Sequence, residues 1–242
     1  MLIRFDGCTP AKGVGQAIAR SLAGAGDCVF DLDEVVPIAA RLNGAGKIIA
    51  AKVDVTDETS IAEVVRGAGD TADILVYVAG GARSQARRPL EEVTADDFEA
   101  IVDVNLRGTS LFANAAAPGM KGKATSRIIT ISSRAGLEMS LTGIQSYAVA
   151  KHGQIGHVKP IALKLFDITV HSIAPGFMAT GPDCEQQSNN WSPEFRENFV
   201  NNIAMRRMGV PKNIIDAVPF LASDHASWIT GQTIAVTGNP PG

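Results

Sequence analysis

Tyr147 and Lys151 stand four residues apart in the stretch SYAVAKHG, a spacing that puts both side chains on one face of a helix. A tyrosine phenol, with a reference pKa of about 10, is a usable base near neutrality only when a cation stands beside it. Lys151 supplies that cation. Upstream, Ser132 and Ser133 close the run RIITISS, where a hydroxyl at a strand end can reach a bound carbonyl. A serine hydroxyl, a phenol and an ammonium are together the parts that stabilise and protonate an alkoxide. A lone Tyr–Lys pair is more often a ring packed under a snorkelling lysine, but that explanation does not account for the serines or for the glycines described next.

The stretch GCTPAKGVG, residues 7–15, follows one apolar run and opens a segment of helical period. Backbone N–H groups and the positive end of a helix dipole can hold a pyrophosphate at such a turn. A glycine-rich turn with no ligand would look the same. About 20 residues further on, the second apolar run ends in DLDE, and a carboxylate there accepts hydrogen bonds from both ribose hydroxyls and repels a 2′-phosphate. An acidic helix cap is the alternative reading of the same residues.

The elements that must position these groups follow from hydrophobic period. LIRF, CVFDL, KIIAAKV, DILVYV, RIITIS, ITVHSIA and TIAV read as strands. Between them, 15–25, 60–68, 95–116, 146–165 and 211–223 carry apolar residues at three- and four-residue spacing and read as helices. Strands apolar on both faces and alternating with helices predict an α/β chain, a doubly wound parallel sheet of about seven strands covered by helices on both faces. The 242 residues are expected to form one domain. The polar segment around 180–207, which follows the sixth strand, is expected to be a lid over the substrate.

Composition narrows the partners. Lys and Arg number 22 against 25 Asp and Glu, a net charge of −3, with no basic stripe for nucleic acid. No apolar run is long enough to cross a bilayer, and the opening MLIRFDG lacks the apolar core of a secretion signal, so a cytoplasmic protein is expected. Three widely spaced cysteines fit neither a disulfide framework nor a metal site.

In these motifs the chain resembles the short-chain dehydrogenase/reductases of about 250 residues, over nearly its whole length. YAVAK is similar to the family's YxxxK, which implies Tyr147 as catalytic acid/base and Lys151 as its partner; ITISSRAG implies Ser133 as the catalytic serine. Asn105 in VDVNLRGT matches the asparagine that holds a water in the proton relay. On the cofactor side the resemblance implies Lys12, Gly13, Val14 and Gly15 at the pyrophosphate, and Asp31 or Asp33 at the ribose. It also places Asp54 and Val55 beside the adenine, Ala79 and Gly80 behind the dinucleotide, and Pro175, Gly176 and Thr180 over the nicotinamide, with Tyr147 and Lys151 also touching the cofactor.

The resemblance implies a Rossmann-type fold, NAD in preference to NADP, a small-molecule alcohol or ketone substrate of the sugar, polyol, 3-oxoacyl or small-ketone class, and a homotetramer or homodimer. Two departures stand out. Thr9 falls where the first glycine of TGxxxGxG belongs, and Tyr77-Val78-Ala79-Gly80 replaces NNAG. They leave a second reading open, a family member with impaired cofactor binding that serves as a non-catalytic binding or scaffold subunit.

Overall fold

β-Branched and aliphatic runs, stiff at χ1 and suited to a pleated surface, form β1 (Leu2–Phe5), β2 (Cys28–Asp31), β3 (Lys47–Ala50), β4 (Ile74–Tyr77), β5 (Arg127–Ile131), β6 (Thr169–Pro175) and β7 (Thr233–Val236). The structure, a computed structural model, describes residues 2–5, 14–25, 28–31, 47–68, 72–83, 85, 88–139, 143–178 and 191–240. The strands make one seven-stranded sheet in the order β3-β2-β1-β4-β5-β6-β7, parallel throughout. The chain runs outward from β1 to β3, then returns to place β4 on the other side of β1. Crossovers leave in opposite directions on the two sides of that junction, so a crevice opens beyond the carboxyl ends of β1 and β4.

Helices cover both faces. On one, α1 (Val14–Gly24), α7 (Pro211–Ile215) and α8 (Ala217–Ala222) pack Ile18, Leu22, Val218 and Leu221 against Val76, Ile129 and Ile173. On the other, α2 (Glu58–Gly67), α4 (Gly108–Met120) and α5 (Gln145–Lys164) pack Ile61, Phe112, Met120 and Val158 against Leu75, Tyr77 and Val170. β5 and β6 are buried along their whole length, as strands covered on both faces must be.

Three expectations are corrected. The helix expected over 95–116 is α3 (Ala95–Val102) and α4, joined by a π-helical turn at Asp103–Arg107 that a periodic apolar pattern does not reveal. The helix expected over 211–223 divides into α7 and α8, where Pro219 has no N–H to offer the carbonyl of Ile215. Within the polar segment around 180–207, where no helix is expected from the sequence, lies α6 (Pro193–Asn201), begun by the Ser192 hydroxyl accepting the Phe195 N–H at 3.1 Å.

Candidate active site

The catalytic candidates meet where the carboxyl end of β5 touches the first turns of α5. α5 has no side-chain cap of its own at Ile144. Gln85, buried in the segment that follows β4, supplies one: its Oε1 accepts the Ser146 N–H at 3.0 Å, and its Nε2 donates to Ser146 Oγ at 2.7 Å. The next residue is Tyr147, so Gln85 fixes the turn that carries the phenol.

One helical turn on, Lys151 is gripped at both ends. Its backbone carbonyl accepts the Ser132 hydroxyl at 2.9 Å, and its Nζ donates to the Ile131 carbonyl at 2.9 Å. Gly136 makes this possible, because a Cβ there would stand 2.7 Å from the Lys151 carbonyl atoms. The ammonium so held lies 5.4 Å from the centroid of the Tyr147 ring. Ser133, partly exposed just past β5, accepts the Ala135 N–H at 3.2 Å. The expected set of Ser133, Tyr147 and Lys151 therefore gathers at one sheet edge, and Ser132, its neighbour, is a buried support.

Asn105 comes to the same place from the π-helical turn. Its Nδ2 donates to the carbonyls of Ile101 at 2.8 Å and Gly81 at 3.1 Å, and its Oδ1 accepts the Gly81 N–H at 3.1 Å. Gly80, at φ 140°, lies between Asn105 and Lys151: a Cβ there would collide with Asn105 Oδ1 and stand 3.4 Å from Lys151 Nζ. Behind this turn the Tyr77 hydroxyl donates to the Val104 carbonyl at 2.5 Å. Burial pushes the Tyr77 phenol well above its ordinary pKa, so it remains a donor.

Of the cofactor-side candidates, Val14 and a buried Gly15 begin α1 beyond β1. Asp54 is exposed, and Thr56, through its hydroxyl at 2.7 Å and then its N–H at 2.8 Å, holds the Asp54 carboxyl below its ordinary pKa. Val55 brings its carbonyl within 2.9 Å of where a Gly108 Cβ would stand, so this loop lies against the π-helical turn. Ala79 is buried next to Gly80. Pro175 ends β6, and Gly176 N donates to the Val236 carbonyl at 3.0 Å. Lys12, Gly13, Asp33, Thr180 and the Asp31 side chain lie outside the described residues. The described residues fit a nicotinamide dinucleotide: the crevice opens beyond the carboxyl ends of β1 and β4, and the lack of a side chain at Gly80 lets Asn105 close in beside the Lys151 ammonium at its edge.

Neither Gln85 nor Thr109 was singled out by sequence pattern. Thr109 donates to the Asn105 carbonyl at 2.7 Å and accepts from the buried Gln154 at 2.7 Å. Only their polarity inside otherwise apolar surroundings could have marked them. Among the described residues no His, Cys, Asp or Glu cluster is placed to hold a metal, and no helix is long and apolar enough to cross a membrane.

A doubly wound parallel sheet with a lysine-backed tyrosine at its open edge is the plan of a dinucleotide-dependent oxidoreductase. The comparisons specify the class. A family model described as enoyl-(acyl carrier protein) reductase matches residues 7–238. The 3-oxoacyl-[acyl-carrier-protein] reductase of Salmonella typhimurium is 33% identical over 241 residues, covering 94% of this chain and 93% of its own. A short-chain dehydrogenase/reductase from Serratia marcescens superposes with a TM-score of 0.84 at 28% identity, covering 98% of this chain and 96% of the other. A Brucella melitensis 3-oxoacyl-[acyl-carrier protein] reductase with bound NAD gives a TM-score of 0.84 at 29% identity, covering 98% of this chain and 90% of the other. The chain belongs to the short-chain dehydrogenase/reductase family. It is a nicotinamide-dependent oxidoreductase that interconverts an alcohol and a carbonyl on a small-molecule substrate.

Proposed function

We propose that this oxidoreductase acts on a 3-oxoacyl or related small carbonyl substrate, prefers NAD to NADP, and uses Tyr147 as its acid/base. The observation that carries the acid/base assignment is the Lys151 ammonium, fixed by the Ile131 carbonyl 5.4 Å from the Tyr147 ring centroid. When bound, the nicotinamide supplies or accepts the hydride. Tyr147 gives its phenolic proton to the nascent alkoxide in reduction and takes the hydroxyl proton in oxidation. Lys151 favours the phenolate, because a cation nearby stabilises the charged form. The Ser133 hydroxyl orients the substrate oxygen, and Asn105 holds a water that links Lys151 to solvent. Val14, Gly15, Asp54, Val55, Ala79, Gly80, Pro175 and Gly176 line the dinucleotide, with Lys12, Gly13, Thr180 and either Asp31 or Asp33 completing the set.

The substrate class is supported by the activities of the relatives and by an apolar cover. Phe177, just past β6, packs on Trp191 at 5.0 Å between ring centroids, and Trp191 on Phe199 at 4.7 Å. Phe195, packed on Trp191 at 5.1 Å, is 48% exposed, and an apolar face of that kind suits an acyl chain better than a sugar. The whole chain acts as one domain, with the segment around 180–207 as its lid. The NAD preference rests on the acidic end of β2 and on the solved relative with NAD bound. The non-catalytic reading rests on Thr9 in the glycine stretch and on Tyr77-Val78 in place of two asparagines, and neither accounts for the lysine-backed tyrosine.

The test follows NADH and NADPH absorbance against 3-oxoacyl thioesters, sugars and polyols. Turnover with the thioester and NADH bears the reading out. NADPH as the better cofactor removes the NAD preference, and turnover of sugars alone removes the substrate class. In the Tyr147→Phe variant, turnover falls about 100-fold or more while calorimetric cofactor affinity stays within a few-fold. Retained turnover moves the acid/base role elsewhere.

A further inference from the structure

Tyr77 occupies a place where the sequence departs from its family, and its hydroxyl does more than fill space. The ring is buried against Phe112, centroids 5.9 Å apart, and a phenylalanine would pack there equally well. A buried hydroxyl is costly unless it is hydrogen-bonded, and this one donates to Val104 O inside the π-helical turn Asp103–Arg107. Gly108 yields the room, since a Cβ there would collide with the Tyr77 hydroxyl.

A π-helical turn places one residue more in the turn than an α-helix does, and it is rare, found mostly as a single turn at functional sites. Here the extra turn projects Asn105, which is stitched to Gly81 through its side chain. Tyr77 ends β4, and Gly81 lies four residues on, in the loop that leaves it. The strand and its loop therefore grip the turn twice, by a phenol on the backbone of Val104 and by a peptide unit on the side chain of Asn105.

We propose that Tyr77 is a positioning residue: its hydroxyl locks the π-helical turn so that Asn105, with Gly80, encloses the Lys151 ammonium beside Tyr147. The inference rests on the reading in which Asn105 serves the proton path and Tyr147 is the acid/base. Loss of the hydroxyl lets the turn relax, Asn105 withdraws from Gly81, and Lys151 becomes better hydrated and less able to stabilise the phenolate. The ionisation midpoint of Tyr147 then moves upward.

The chain offers a direct readout, because it contains only two tyrosines, Tyr77 and Tyr147. In Tyr77→Phe the single remaining tyrosine is Tyr147, and its ionisation is read by ultraviolet difference absorbance. Four proteins are compared by that titration and by the pH profile of kcat: native, Tyr77→Phe, Asn105→Ala and the double variant. The expected result for Tyr77→Phe is a midpoint raised by about half a pH unit or more, a matching shift of the kcat profile, and cofactor affinity within about twofold. The double variant is expected to be no worse than Asn105→Ala alone, since both act on one element.

A Tyr77→Phe protein that titrates and turns over as native, while Asn105→Ala shifts both, overturns the inference and leaves the reading of Asn105 intact. An Asn105→Ala protein with native behaviour overturns that reading and this inference with it. Additive shifts in the double variant also overturn it, because Tyr77 would then act by another route. Should Tyr77→Phe fail to fold, Tyr77→Met removes the same hydroxyl and also leaves Tyr147 as the single tyrosine, and the same outcomes apply.

Discussion

Lys151 is buried, yet its ammonium has a single fixed role because neighbours determine its position from the helix side and from the strand side. Gly80 closes that arrangement at φ 140°, a conformation L side chains rarely adopt. Gly80→Ala is therefore expected to cost about 1–3 kcal/mol in stability. It should also lower kcat by more than tenfold, because the new methyl displaces Asn105; urea unfolding and steady-state rates check the two effects. His171, buried in β6, makes a separate prediction. Burial, aided by the charge of Arg127, lowers its pKa, and burial likewise lowers that of half-buried His157. Both are neutral in the fold, whereas the unfolded chain takes up protons below about pH 6.5. Stability is thus complete above that pH and is lost as pH falls below it, down to the folded pKa values. Urea midpoints at pH 7.5 and 5.5 should show the loss, and His171→Asn should lessen it; an unchanged midpoint refutes the account.

At the scale of elements, the amino end of α5 depends on a residue 61 positions away in sequence, Gln85 bonded to Ser146. Gln85→Leu keeps the volume and removes both bonds, leaving buried polar atoms unpaired. The expected loss is about 1–3 kcal/mol in thermal or urea unfolding, with kcat reduced more than cofactor affinity because Tyr147 sits on the released turn. Sequence pattern anticipated every strand to within a few residues, since β-branched runs covered on both faces have few alternatives. It also placed Tyr147 and Lys151 on one face, because helical spacing is local. Gln85, Thr109 and Tyr77 were beyond its reach as supports, because their partners are brought near only by the completed sheet. The π-helical turn was hidden for another reason: VDVNLRGT keeps helical period on both sides, and one added residue leaves no compositional mark. The start of α6 was legible after all, in Ser192 before Pro193 and Glu194.

For the molecule as a whole, the surface carries apolar side chains that a lone subunit would leave in water. Leu163 and Phe166 at the end of α5 are 78% and 80% exposed, and Trp228 is 99% exposed. The homotetramer or homodimer that the family resemblance implies would bury such faces, and light scattering that returns a monomer mass refutes it. The strand order bears on how the chain is made as well as on what it binds. β1 lies between β2 and β4, with Leu2 paired to Val29 on one side and to Ile74 on the other. During synthesis the first strand finds its β2 partner early, but its other edge stays unpaired until residues 74–77 leave the ribosome. An open strand edge recruits other strands, and pairing across so long a stretch of chain is slow. The same crevice between β1 and β4 that admits a dinucleotide in the finished protein is thus the seam closed late in its assembly, and it is there that a nascent chain is most exposed to aggregation.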